Sequence, residues 1–298
     1  MAVTSLTSVI IVNYNSGQYL AQCVMAVLAS TVPVEVFVVD NASMDDSIQQ
    51  LRQILPKHAP VSIEQNVQNQ GFAKANNQVL DKTKGDYLLF LNPDCFVETD
   101  TLEQSRMVMN THSDVGMAGV LVCNPDGSEQ AGARRSVPSP WRSVIRILHL
   151  NTLFPNHPRF KSFVLTQEPI PKKPIELEGI SGAFMFVRQS ALAQVGGLDE
   201  GYFLHCEDLD WFMRFREQNW KILFIPHIKV THIKGACSDK QPVAVLWYKH
   251  KGMIRFYRKF FQQRYSWLVM LVVIGAVWLR FAVLAALSVV TRRGGKSK

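Results

Sequence analysis

Ser8-Val-Ile-Ile-Val-Asn-Tyr-Asn15 is a short apolar run without alternation that ends abruptly in polar residues. A strand buried on both faces reads this way, and burial on both faces belongs to parallel sheets covered by helices. The same pattern repeats outward from it. Gly17 to Ser30 puts Leu20, Val24, Val27 and Leu28 on one helical face. Val34 to Val39 is a second buried strand, closed by Asp40-Asn-Ala-Ser-Met-Asp-Asp46, a turn-rich loop that also suits the cap of a helix over Ser47 to Leu55. Val61 to Glu64 is a third strand; Asn69-Gln-Gly-Phe-Ala-Lys-Ala-Asn-Asn77 leads into a helix to about Leu80, and Asp86 to Leu91 is a fourth strand running into Asn92-Pro-Asp94. Strands alternating with helices at this spacing predict an α/β fold with a mostly parallel, Rossmann-like sheet and flanking helices.

Such sheets bind ligands beyond the carboxyl ends of their strands. Asn13, Asp40 and Asp94 all fall at such ends. Singly, each reads more readily as a loop residue satisfying local backbone; three converging on one sheet edge is a stronger signal. A dinucleotide-dependent oxidoreductase is the competing reading, but no Gly-x-Gly-x-x-Gly follows the first strand, where Gly17 stands alone.

Downstream, Gly116 to Val122 predicts another strand, followed by a turn at Asn124-Pro-Asp-Gly127. Arg134 to Pro174 is irregular and proline-rich, with a short amphipathic helix over Trp141 to Phe154, read as a packed surface helix by default or else an interfacial one. Glu178 to Arg188 returns to a strand, Ser190 to Val195 to a helix, and Trp220 to Pro226 to a strand, before Val230-Thr-His232 completes the body. Between them lies Gly197-Leu-Asp-Glu through Glu207-Asp-Leu-Asp210. A helix opening at Glu207 holds three carboxylates in its first turn, where free N–H groups and the helix dipole favour negative charge. On that reading all three stay ionised at neutral pH. The bland alternative is an acidic helix start with an Asp210–Arg214 pair one turn apart.

Charge is distributed unevenly. Residues 1–239 carry 20 basic and 24 acidic side chains, while residues 240–298 carry 12 Lys and Arg and no acid. Because the basic residues flank apolar segments, they point to an anionic membrane surface and away from nucleic acid. Val243 to Arg264 mixes aromatic and basic residues in a helix-compatible pattern. Ser266 to Val290 is apolar except for Arg280; as a helix it is about 37 Å long, enough to cross a bilayer. Arg280 near its middle costs roughly 2.5–3.5 kcal/mol on insertion, and the sequence leaves crossing and interfacial placement both open. Five scattered cysteines (Cys23, Cys95, Cys123, Cys206, Cys237) argue against a disulfide framework and against a zinc site. With no basic-then-apolar layout at the N-terminus, the body is expected in reducing cytosol.

These blocks, in this order, resemble the family 2 glycosyltransferases, especially the rhamnosyltransferase-like members of bacterial surface-polysaccharide synthesis. The resemblance rests on Ser8 to Asn15, Val38-Val-Asp-Asn-Ala-Ser43, Asn69 to Asn77, Leu91-Asn-Pro-Asp94, Gly197 to Asp210, and Val230-Thr-His232 with Gly235 and Ser238. It implies a GT-A fold over residues 1–239, with a nucleotide-binding half to about 125 and an acceptor half from about 126; composition sets 240–298 apart as a membrane-associated tail. It further implies that Asn13, Asp40, Asn41, Asn69, Gly71 and Asn76 form the donor pocket, with Asn92 at its edge. Asn92-Pro-Asp94 takes the place of the family's Asp-x-Asp motif. The first carboxylate is an amide here, so Asp94, with His232 as a further ligand, is expected to hold Mg2+ or Mn2+. Asp208 is expected to be the general base and Glu207 to orient the acceptor, with the two roles exchangeable. The expected partners are a nucleotide-sugar donor, a lipid-linked saccharide acceptor and the cytoplasmic face of the cell membrane. The Gln-x-x-Arg-Trp motif of processive members is missing, which implies one sugar per encounter. A catalytically silent sugar-nucleotide binder is the third reading.

Overall fold

The computed structural model describes residues 5–147, 150–154, 157, 160, 164–233, 235 and 242–294. Leu148, His149, Cys237 and Ser238 lie outside them. One sheet contains β1 (Thr7–Asn13), β2 (Val34–Asp40), β3 (Val61–Gln65), β4 (Tyr87–Leu91), β5 (Cys95–Phe96), β6 (Val115–Cys123), β7 (Ile175–Glu176), β8 (Phe184–Arg188) and β9 (Lys221–His232). The order is β3-β2-β1-β4-β8-β6-β9-β5, with β7 on β9. The helices are α1 (Gln18–Leu28), α2 (Ser47–Ile54), α3 (Phe72–Asn77), α4 (Thr101–Asn110), α5 (Pro140–Ile147), α6 (Leu150–Leu153), α7 (Gln189–Val195), α8 (Glu207–Glu217), α9 (Pro242–Phe261) and α10 (Trp267–Gly294).

Strands β1 to β4 pair in parallel, as the unbroken apolar runs predict. Alternate residues supply opposite cores: Val9 and Ile11 join α1, α2 and α4 on one face, while Ile10 and Val12 join α7, α8 and α9 on the other. The second half of the sheet is mixed. β8 runs antiparallel to both β4 and β6, and β6 is parallel to β9.

Two features were not legible in the periodicity. β9 continues past Pro226 to His232, because the β6 register jumps from Val120↔Ile225 to Leu121↔Lys229 and the bulge takes up the proline that would end a regular strand. The two-residue strand β5 pairs with the far end of β9, setting Cys95 opposite His232.

The basic tail packs on the body. Phe256, Tyr257 and Phe261 of α9 and Met270 and Val273 of α10 share the core of Phe90, Trp211 and Phe212. At Gly252 a Cβ would lie 2.8 Å from the His205 carbonyl, so the backbone of α9 approaches the loop before α8 as only glycine permits. The stretch Trp267–Ser288 is long and apolar enough to cross a membrane, with a mean hydropathy of 2.5.

Candidate active site

A cleft of about 1440 Å³ opens along the carboxyl ends of the strands and is walled on its far side by α9 and α10. Its strand-end side is built from the loops after β1 and β2. Asn13 is wholly buried and donates to Asp40 Oδ1 at 2.9 Å, to Ser43 Oγ at 3.0 Å and to Ser47 Oγ at 2.8 Å. Asn13 and Asp40 therefore lie beneath the cleft and fix its loops. Asn41 and Asn69 line it: Asn41 donates to Asn69 Oδ1 at 2.8 Å and accepts from the Gln70 N–H at 2.9 Å. Gly71, at φ +85°, also lines the cleft, and a Cβ there would sit 2.6 Å from the Phe203 carbonyl, which accepts a hydrogen bond from the Phe72 N–H. Asn76 lies outside the lining, in α3, with its amide donating to the Phe72 carbonyl at 2.9 Å. Tyr14, Asn15, Met44 and Asp45 complete this side; they sit within the polar loops noticed in the sequence, but nothing singled them out.

The β5–β9 pairing brings Asp94 beside His232, with Asp94 Oδ1 3.1 Å from His232 Nε2. Asn92 lies 3.5 Å from the same nitrogen. Gln130 fixes the tautomer. Its Nε2 donates to the His232 carbonyl at 3.1 Å, so its Oε1 faces His232 Nδ1 at 2.7 Å and that nitrogen carries the proton. In the neutral ring the Nε2 lone pair is then directed, with the Asp94 carboxylate, into one space. This donor set fits a divalent cation, and orientation of the ring by an outer amide is the usual arrangement at a metal site. Among the described residues no three His, Cys, Asp or Glu side chains gather into a cage. Two such ligands would leave the other positions to substrate oxygens and water, as magnesium accepts.

Across the cleft, α8 begins at Glu207 as its acidic start predicts, but its carboxylates differ in state. Asp210 is fully buried and structural: Arg214 Nε donates to Oδ1 at 2.7 Å, and Lys259 Nζ of α9 sits 2.7 Å from Oδ2. Asp208 faces the cleft, ion-paired with Arg135 and accepting from the Leu209 N–H at 2.8 Å. Glu207 corrects the expectation of uniform ionisation. Burial, and then the neighbouring Asp208, push its carboxyl up to about 8, and its Oε2 has no hydrogen-bond partner among the described residues. It is protonated at neutral pH, since the cost of stripping water from the anion exceeds the benefit of the helix dipole.

His205 and Cys206, both at positive φ, carry the chain into α8. Burial and the Lys249 charge push the His205 imidazole down to about 4, so it is neutral. Arg135, His205, Lys249, His250 and Arg280 line this part of the cleft, and Gln130 the strand-end side; all escaped sequence reasoning as site residues. Arg134 and Arg135 illustrate why: the first is buried against Glu129, the second reaches Asp208, 73 residues away, and nothing local distinguishes them.

Residues 8–196 match the profile described as Glycosyl transferase family 2. The chain is 27% identical over 265 residues to an N-acetylglucosaminyl-diphospho-decaprenol L-rhamnosyltransferase of Mycobacterium tuberculosis, covering 85% of this chain and 84% of that one. Its fold is similar to that of the mannosyltransferase PcManGT from Pyrobaculum calidifontis in complex with GDP-Man and Mn2+, with a TM-score of 0.58 and 14% identity over 98% of this chain and 81% of that one. It is also similar to Staphylococcus aureus TarS, with a TM-score of 0.54 and 16% identity over 87% of this chain; it spans 44% of the TarS chain.

Proposed function

The chain belongs to glycosyl transferase family 2, and on that premise we propose that it is an inverting, non-processive transferase. It moves one sugar, rhamnose by similarity to a named rhamnosyltransferase, from a nucleotide-sugar to a lipid-linked saccharide at the cytoplasmic face of the cell membrane. The observation that carries this reading is the shared cleft: Asp94 and Asp208 line one cavity, between the Asn41–Asn69 loops and the start of α8.

In the proposed reaction, Asn41 and Asn69 hold the base and ribose of the donor, while Asn13 and Asp40 keep those loops in place. Asp94 and His232 would hold a divalent cation, which supplies charge neutralisation to the departing nucleoside diphosphate. Arg135 fixes the Asp208 carboxylate so that it faces the acceptor. An acceptor hydroxyl attacks the anomeric carbon, its proton passes to Asp208, and the bond to the diphosphate breaks on the opposite side, which inverts the centre. Glu207, protonated, is placed to donate a hydrogen bond to an acceptor oxygen. Burial raises the Glu207 carboxyl, which favours its acid form, while Asp208 faces the cleft held by Arg135; this favours Asp208 as the base.

Attachment to the membrane rests on α10 and on the acid-free basic tail. The oxidoreductase alternative has no support from the family match. The test is transfer assayed with a panel of sugar nucleotides and a polyprenyl-diphosphate-linked saccharide, with and without a chelator. Donor binding without transfer, cation present, would favour a silent binder.

A further inference from the structure

The apolar helix α10 carries one charge at its centre, and that charge faces the cleft. Val273, Ala276, Val277 and Arg280, spaced as one helical stripe, line the cavity. Leu268, Leu271, Val272, Leu279, Val283 and Leu287 of the same helix are exposed. Arg280 Nη1 donates to His250 Nε2 at 3.2 Å, while the His250 Nδ1–H donates to the Leu246 carbonyl at 2.6 Å. Burial foremost, and then the Arg280 and Lys249 charges, push the His250 imidazole down, so the guanidinium donates to a neutral ring and has no ion pair among the described residues.

No compensation comes from elsewhere in the tail, since residues 240–298 contain no acid. The acids near this wall are committed to other cations: Asp199 to Arg255 and Lys259, Asp208 to Arg135, and Asp210 to Arg214 and Lys259. Arg280 is also on the α8 side of the cavity. Its partner His250 adjoins Lys249, whose carbonyl faces Cys206 Sγ at 3.7 Å, immediately before Glu207. The Asp94–His232 pair belongs to the opposite, strand-end side.

We propose that Arg280 is the binding site for the diphosphate of a polyprenyl-diphosphate-linked acceptor, and that the exposed apolar face of α10 takes the polyprenyl chain. This deepens the glycosyl-transfer reading and rests on it. One helix presents a guanidinium with no ion pair among the described residues and a continuous apolar face, and a lipid diphosphate has the complementary pair of properties. Guanidinium binds such an oxyanion with two parallel N–H donors. The insertion cost of a central arginine is offset when its head lies in a polar cavity.

The test uses the full chain in detergent micelles, at saturating donor, with two acceptors bearing the same saccharide: one on a polyprenyl diphosphate, one on an uncharged alkyl chain. Arg280→Gln is expected to raise KM for the diphosphate acceptor about 10- to 100-fold, as loss of a charged hydrogen-bond donor predicts. KM for the donor and for the alkyl acceptor should be unchanged, and Arg280→Lys should recover part of the loss. An equal change on both acceptors, or none, overturns the proposal. So does a variant that loses only its adhesion to phosphatidylglycerol vesicles, since Arg280 would then serve a lipid headgroup. Should Arg280→Gln not fold, farnesyl diphosphate decides the matter in the wild type: it is expected to compete with the acceptor and not with the donor, and competition with the donor sinks the idea. Should the wild type transfer to neither acceptor, the glycosyl-transfer reading fails separately. Calorimetric binding of farnesyl diphosphate to wild type, and its loss in Arg280→Gln, then still supports the diphosphate site, and absence of binding to the wild type removes it.

Discussion

On the strand-end side of the cleft, apart from the Asp94–His232 pair, the groups that shape the site come from successive loops of one parallel sheet, and partners such as Asn13 and Asp40 or Asn41 and Asn69 lie fewer than thirty residues apart. The α8 side is assembled from distant pieces: Asp208 meets Arg135 across 73 residues, and Asp199 meets Lys259 across 60. The first side is amides, hydroxyls and the carboxylates of Asp40, Asp45 and Asp94 in a hydrogen-bonded mesh. The second is charges, in which a protonated Glu207, a paired Asp208 and a buried Asp210 differ because their surroundings differ. A site read from strand ends is therefore only half of this one. The other half needs a tail that composition alone sets apart as a membrane attachment.

Mutations that separate the two sides test this contrast. Asp208→Asn should cut kcat by about 10²- to 10⁴-fold, the range for loss of a general base, with donor affinity retained in equilibrium titration; a parallel loss of donor binding would break the division. Asp94→Ala should lower kcat/KM on the order of 10²-fold or more, by removing several kcal/mol of cation-assisted stabilisation, and abolish the response to added manganese. Its acceptor KM should stay near that of wild type.

Lys259→Met asks whether α9 belongs to the α8 side. Lys259 bridges Asp199 and the buried Asp210, and these contacts, with Arg255, hold the Asp199 carboxyl down at about 2 despite its partial burial. Because Lys259 is itself 36% exposed and Asp210 keeps Arg214, the loss is set at about 1–2 kcal/mol. Thermal unfolding and faster amide exchange in α9 would register it, and an unchanged melting temperature would detach the tail from the site.

The smallest effect is expected from Glu207→Gln, which mimics the protonated acid. Glu207 keeps its proton in the folded protein from its ordinary 4.5 up to about 8, whereas the unfolded chain has released it. Its contribution to stability is therefore complete below that window and lost as pH rises through it. The variant should flatten that decline, retain transfer at pH 7 within about tenfold, and lose the alkaline limb of the wild-type rate profile near 8. Retention of that limb would assign it to another group.

Much of the first side was legible because parallel strands announce themselves by unbroken apolar runs and their ends by polar loops. Asn13, Asp40 and Asp94 are legible as strand-end residues in that way. What escaped was set by tertiary contact: β5 is two residues long, too short for any period, yet it places Asp94 against His232. Pro226 argues locally for a strand end, while the bulge lets the strand continue. The ionisation of Glu207 went astray because a helix start favours the anion and the sequence does not show how dry the site becomes. Arg280 was noticed only as a cost to insertion; its role depends on which way one face of α10 turns.

The meeting of Phe72 and Phe203 joins the two sides directly. The Phe72 N–H donates to the Phe203 carbonyl at 2.8 Å, Gly71 leaves no room for a side chain between them, and the Phe203 ring stacks on Tyr248 of α9 at 4.2 Å. Any widening of the mouth toward the lipid has to break that bond and separate those rings. A shift of either wall at this point is therefore passed to the other through one backbone hydrogen bond and one ring stack.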